Sequence, residues 1–365
     1  MSVSAAAGLP NARDRRPDPA SEIRLATLQA TRGANYWLRD PIVRMDLVVG
    51  AYEDISSADV PGVTDALVGA MPGLIEHRCS IGERGGFILR LRRGTYAPHI
   101  IEHVALELQT MIGHDVGYGR TRGGDVEGEY TLIFERSHEQ VGLRAAALAL
   151  ETVQRAFAGT LATVGPYISE LKSLAALPDV PAPNQRVLCG ITGGQGRGET
   201  RAELMKRGIS DAELIIDVSP SYILQVGLPY SRSEFAIVLD TNPTDVPERY
   251  QDPERASRLV SVVADEVRRD GFVVCPAKAW EVQERVRDER CRVAIFAVDD
   301  DVTRRDQKLA GAVALVERGR ILLDIDSGRL DAGPLRDDAP AAAQVAAALA
   351  AQLWQQPSRR KSPRS

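Results

Sequence analysis

The run HIIEH, with His99, Glu102 and His103, has residue types and a spacing suited to metal chemistry. Residues 99 and 103 fall one helical turn apart, so both imidazoles face one side and can share an ion. Glu102 stands beside them, where a carboxylate can take a proton from metal-bound water. The order H-x-x-E-H is that of the inverted zinc hydrolases. The chain has only 5 histidines, which makes this register informative. Without an ion, the same side chains would simply line a polar cleft. A catalytic zinc needs a third protein ligand. Glu107 is a poor one, lying about 12 Å from His99 along a helix axis at 1.5 Å per residue. His77 and Cys79, in IEHRCS, come from a different element and are better placed. The expected site is therefore His77, His99 and His103 as zinc ligands, with Glu102 as general base.

A second constellation is the glycine-rich run CGITGGQGRGET, with four glycines between positions 190 and 196. It follows an expected strand and precedes an expected helix, as a phosphate-binding loop does. Such a loop requires a lysine on the β- and γ-phosphates and then Ser or Thr on magnesium. Here Arg197 stands in the lysine's place, followed by Gly198 and Glu199. Arginine is not an equivalent replacement, and a carboxylate at 199 repels phosphate. Gly193, Gly194, Gly196 and Arg197 therefore read as a degenerate nucleotide loop, and ATP is not expected as a cofactor. A third feature is the mixed-charge stretch GERGGFILRLRRGT, whose Arg90, Arg92 and Arg93 suit an anionic partner through charge-assisted hydrogen bonds. Taken singly, such arginines belong to an ordinary solvated face.

These residues must be held by elements of two kinds. From Ile23 to Phe157 strands and helices interleave: IVRMDLVVGAY reads as a strand, VTDALVGAM as a helix, and residues 99–112 as a helix ending at Gly113. YTLIFER follows as a strand and QVGLRAAALALETVQRAF as a long helix, giving an α+β unit over 23–176. LPDVPAPNQ (177–185) holds three prolines and reads as a linker. Beyond it, over 186–354, short apolar strands (RVLCGIT, AELIIDV, FAIVLD, GFVVC, RVAIFAV) alternate with helical stretches such as ERASRLVSVVADEVRR. That alternation predicts an α/β unit with a mostly parallel sheet. Residues 1–22 and 355–365 are expected to be disordered.

A length of 365 residues suggests two or three domains, and 44% hydrophobic with 26% charged residues is the composition of a globular protein with a sizeable core. A net charge of -5 argues against a nucleic-acid binder. No apolar run approaches the roughly 20 residues that cross a bilayer. There is no secretory h-region, and the 4 cysteines form no CxxC pair. A reduced cytoplasmic location is expected.

The first half resembles the N-terminal domain of the cyanophycin synthetase family. The likeness runs in order through RGANYW (32–37), VPGVTDAL, MPGLIEHRCS, GERGGFILRLRRGTY, HIIEHVALELQTMIGHDVGYGRTR and EGEYTLIFE. The second half is more weakly similar to the Mur-ligase-like domain of the same enzymes. TGGQGRGET falls at their nucleotide loop, DVSPSYILQVGLPY at a following segment, and NPTDVPERYQDPERASRLVSVVADEVRRDGFVVCPAKA and RVAIFAVD at the stretch after that. Against that pattern Arg197 replaces the loop lysine and Asp217 a glutamate. Pro220, Ser221 and Tyr222 replace an R-G-G, and Val246 and Val260 replace a histidine and a lysine. Pro276, Lys278 and Ala279 remove polar groups near the base. The ATP-grasp domain between the two halves is missing, so fold kinship does not carry the ligase activity over.

In that family the N-terminal domain holds multi-L-arginyl-poly-L-aspartate, and in some members looks like a metallopeptidase that cuts it into primers. The resemblance therefore implies a protein that binds, and hydrolyses with a metal, a β-aspartyl-arginine polymer. The alternative is a non-catalytic pseudo-ligase partner of a full cyanophycin synthetase, and a third reading is an ATP-dependent amide ligase with a rebuilt loop. Cyanophycin or related chains are the expected partner, with homo-oligomerisation open and neither nucleic acid nor membrane expected.

Overall fold

A computed structural model of the chain describes residues 16–32, 39–181, 185–209, 214–299 and 310–356. The extreme ends (1–15 and 357–365), residues 33–37 of RGANYW and residues 182–184 of the proline-rich stretch lie outside the described residues. The chain divides into two compact units, residues 1–29 with 43–179, and residues 30–42 with 180–365.

In the first unit, structure starts ahead of Ile23, inside the segment expected to be disordered. Helix α1 (Pro19–Glu22) is a single turn, because Asp18 accepts the Ala20 N–H at 3.2 Å and proline presets its first position. Strands β1 (Arg24–Arg32), β2 (Pro41–Val48), β3 (Gly119–Gly123) and β4 (Glu129–Glu135) form one sheet in the order β1-β2-β4-β3. Helices α2 (Val63–Ala70), α3 (Gly86–Arg93), α4 (Ala97–Thr110), α5 (Glu139–Phe157) and α6 (Gly165–Ala175) complete the unit. The core joins β2 and β4 to α4 and α5 through Val43, Met45, Leu132, Phe134, Ile101, Leu108, Ala145 and Leu148.

Helix α4 starts at Ala97 with Pro98, which fits the first turn, and stops before Gly113, whose φ of 92° only glycine adopts readily. It is enclosed on nearly every side: all residues from Ile100 to Gln109 are buried. Glu102, His103 and Glu107 are thus inside the unit. Each must find a partner there, since a buried polar group left unpaired costs about 1–3 kcal/mol.

The second unit holds eight strands in the order β12-β11-β10-β9-β8-β7-β5-β6. They are β5 (Arg186–Thr192), β6 (Ile215–Asp217), β7 (Arg232–Val238), β8 (Val267–Pro276), β9 (Arg292–Ala297), β10 (Ala312–Glu317), β11 (Arg320–Ile325) and β12 (Gly328–Pro334). Pairing is parallel from β6 across to β10, and β10-β11-β12 closes one edge as an antiparallel meander. The central strands read as continuous apolar runs because both faces are covered. Alternate residues serve each face. Ile191, Phe235, Phe272 and Phe296 pack with α7 (Arg197–Lys206) and α11 (Ala341–Gln355), and Ala236, Val273 and Ile295 with α8 (Pro220–Val226), α9 (Pro253–Val260) and α10 (Trp280–Asp288). Phe235 and Phe272 are cross-strand partners whose rings stack at 4.9 Å.

The architecture is thus an α+β unit followed by an α/β unit with a mostly parallel sheet. The stretch ERASRLVSVVADEVRR is not one helix. Helix α9 ends at Val260, a 3-10 turn follows over Ser261–Ala264, and Val267 already pairs with Ser233 as part of β8. Of the described residues, 30–32 and 39–42 belong to this second unit. Arg39 meets Asp265 at 2.6 Å, and Arg32 meets Glu266.

Candidate functional site

His99 and His103 lie on the same side of α4 with ring centroids 4.8 Å apart. Cys79 is brought to them by the segment after a 3-10 turn at Pro72–Glu76. Its φ of 53° lies in the left-handed region, which costs a non-glycine residue on the order of 1–2 kcal/mol. The strained residue places Cys79 Sγ 3.2 Å from His99 Nε2. Donor atoms of Cys79, His99 and His103 all lie within 4.8 Å of one another. A thiolate and two imidazoles make a donor set suited to zinc, and three converging ligands leave a fourth position for water or substrate.

His77, expected as the third ligand, sits one ring further back, and Cys79 takes its place in the converging trio. His77 Nδ1 lies 2.8 Å from His103 Nδ1, and its Nε2 lies 3.0 Å from Glu107 Oε2. Spacing alone could not separate His77 from Cys79, since both precede the same helix by similar distances. Glu107, too far along α4 to share an ion with His99, reaches the cluster through His77 instead. Phe87 of α3 stacks on His103 at 3.9 Å between centroids and closes the apolar side.

Glu102 is buried, with Oε2 3.8 Å from His99 Nδ1, and accepts the Thr121 hydroxyl. Two glycines make room for the carboxylates. A Cβ at Gly119 would stand 2.7 Å from Glu102 Oε1, and one at Gly73 would stand 2.0 Å from Glu107 Oε1. Burial, reinforced by His99, His77 and Arg90, pushes the pKa of His103 down to about 2, so its ring is neutral. Burial would lower His99 too, but Glu102 and Cys79 outweigh it and raise its pKa. Arg90, Arg92 and Arg93 are exposed in the last turn of α3, and Arg90 is close enough for its charge to act on His103.

In the second unit the glycine-rich turn joins β5 to α7 and is filled from within. Asp240, just beyond β7, accepts the Gly194 N–H with both oxygens at 3.0 Å. It also accepts from Asn242 N at 2.9 Å. Arg197 Nη1 donates back to the carbonyls of Gly193 and of Gly194, the latter at 3.1 Å. The amides that would face a phosphate thus face a carboxylate, and one guanidinium nitrogen bonds the loop's own oxygens. Asp240 was not recognisable in the sequence, being a lone aspartate after an apolar strand.

The first unit is therefore an α+β fold carrying a partly buried thiol–imidazole–carboxylate cluster. Residues 43–158 match the cyanophycin synthase-like N-terminal domain. The chain is 40% identical over 155 residues to cyanophycin synthetase from Synechocystis sp., covering 41% of this chain and 17% of that protein. It is 46% identical over 121 residues to cyanophycin synthetase from Crocosphaera subtropica, covering 33% of this chain and 14% of that one. The matched stretches thus span less than a fifth of these relatives. Among solved structures, MurF from Acinetobacter baumannii aligns at 12% identity and a TM-score of 0.31, covering 46% of this chain and 43% of that one. A pseudomurein peptide ligase type C from Methanothermus fervidus aligns at 12% identity and a TM-score of 0.32, covering 49% and 48%. No helix among the described residues is long and apolar enough to cross a membrane.

Proposed function

We propose that this protein binds β-aspartyl-arginine chains of the cyanophycin type and hydrolyses them with a divalent metal, zinc fitting best. The observation that carries the reading is the convergence of Cys79, His99 and His103 beside the buried carboxylate of Glu102. The names of the relatives matching residues 43–158 support the substrate class. A bound zinc would acidify a water and polarise the scissile carbonyl. Cys79, His99 and His103 would hold the ion. Glu102, whose carboxylate accepts the Thr121 hydroxyl, would receive the proton. The low-dielectric surroundings from Phe87 and α4 strengthen each of these interactions. Arg90, Arg92 and Arg93 offer guanidinium groups to substrate carboxylates at the exposed end of α3. ATP has no part in this reading, since Asp240 already occupies the amides of the glycine-rich loop.

The filled loop also favours a second reading, an accessory pseudo-ligase partner that presents polymer to a full synthetase. One assay separates them. Purified protein is incubated with cyanophycin, with zinc added or chelated, and chain length is followed. Zinc-dependent shortening supports hydrolysis, whereas bound polymer that stays intact supports the accessory role. Shortening that survives chelation would assign the chemistry to Cys79 and His99 as a thiol–imidazole pair.

A further inference from the structure

Four groups run in one line from α4 back to α4: Glu107, His77, His103 and the Cys79–His99 pair, with Glu107 and His103 buried and the others partly so. The Glu107 carboxylate has only acceptor oxygens, so the 3.0 Å contact with His77 Nε2 requires the proton to be on that nitrogen. With that proton on Nε2, His77 turns its other nitrogen, Nδ1, toward His103. The facing nitrogen is His103 Nδ1 at 2.8 Å, and in the proposed arrangement it donates to His77. That arrangement puts the His103 proton on Nδ1, the nitrogen facing His77, and leaves Nε2 without one. Since Nδ1 is engaged by His77, Nε2 is the nitrogen left for the cluster with Cys79 and His99.

We propose that His77 and Glu107 are positioning residues, a relay that fixes the tautomer of His103 so that its Nε2 lone pair faces the Cys79–His99 side. The purpose of the relay rests on the metal reading above, but the tautomer itself does not. The surroundings are built for the relay. Gly73 is the one residue type that lets the Glu107 carboxylate sit where it does, with no room for a Cβ. Glu107 is only 4% exposed, so water does not compete for it. Phe87 stacks on the His103 ring and restrains its rotation. Histidine ligands of metals are commonly held this way, and losing the outer partner lowers metal affinity by roughly 10–100-fold.

The test uses the full chain, metal-free and labelled with 15N-histidine. Long-range proton–nitrogen correlation should show a protonated Nδ1 and a bare Nε2 on His103, and a protonated Nε2 with a bare Nδ1 on His77. A proton on His103 Nε2, or a His77 ring protonated on both nitrogens, overturns the proposal. Cobalt(II) titration followed by absorbance gives the second readout. His77→Phe and Gly73→Ala, the latter displacing Glu107 without touching a ring, should each weaken cobalt binding by about 10–100-fold. Wild-type affinity in a folded His77→Phe protein also overturns it. Should the wild-type chain show the stated tautomers yet bind no cobalt, the relay stands and the metal reading falls. Should the variants fail to fold, the spectrum of the wild-type chain decides alone.

Discussion

Both oxygens of Asp240 lie 3.0 Å from the backbone nitrogen of Gly194. An anion site made of loop amides is thereby satisfied by a side chain of the same unit, and a nucleotide phosphate would have to displace a carboxylate. Calorimetry with Mg-ATP should show no binding heat at sub-millimolar concentrations. Asp240→Ala should destabilise the second unit by about 1–2 kcal/mol, the worth of a lost capping side chain, read by urea unfolding. A micromolar ATP affinity in the wild-type chain would refute this account of the loop.

The candidate metal centre separates ligand loss from loss of the base. Cys79→Ala and His99→Ala should each abolish stoichiometric zinc in the purified protein. Glu102→Gln should keep the metal while hydrolysis falls by ~10²–10⁴. Equal metal content and equal activity in all three variants would make the cluster purely structural.

Asp46 predicts an acid limb in stability. Burial alone would raise its pKa, but hydrogen bonds from Arg44, Thr131 and Thr27 overcome that and lower it from 3.8. A depressed carboxylate stabilises the fold above its unfolded value and loses that contribution as pH falls through the folded value. Asp46→Asn should therefore be less stable than wild type at pH 7, the gap closing below pH 3.8. A gap that persists unchanged to low pH would remove Asp46 from the acid response.

Asp265 is a buried anion with two cationic partners, Arg39 at 2.6 Å and Arg285 at 3.1 Å. Removing one member of such a cluster strands the rest, typically costing about 3–5 kcal/mol. Asp265→Asn should show that loss in denaturant unfolding, and Asp265→Asn with Arg39→Met should recover part of it. A double variant no better than the single one would show that the arginine left behind carries no penalty.

Where the sequence carries a pattern, it foretold the structure. The helix of HIIEH was marked by its apolar spacing and Gly113, and the parallel strands by apolar runs between helices. Pattern gave out where partners decide. β3, with the sequence GRTRG, contains no apolar residue and exists by pairing with β4, yet its Gly119 admits Glu102. Val267–Arg269 looked helical and became strand because Ser233 pairs with Val267. The choice between His77 and Cys79 turns on one left-handed residue, a backbone angle that no spacing reveals.

That left-handed residue also makes Cys79 chemically distinct from its fellows. Cys189, Cys275 and Cys291 are buried, and burial holds all three thiols above the ordinary range. Cys79 is partly open to solvent. In the native protein a maleimide should therefore alkylate one thiol per chain, and its rate becomes a direct gauge of site occupancy, slow when an ion holds the sulfur and fast when the ion is stripped away.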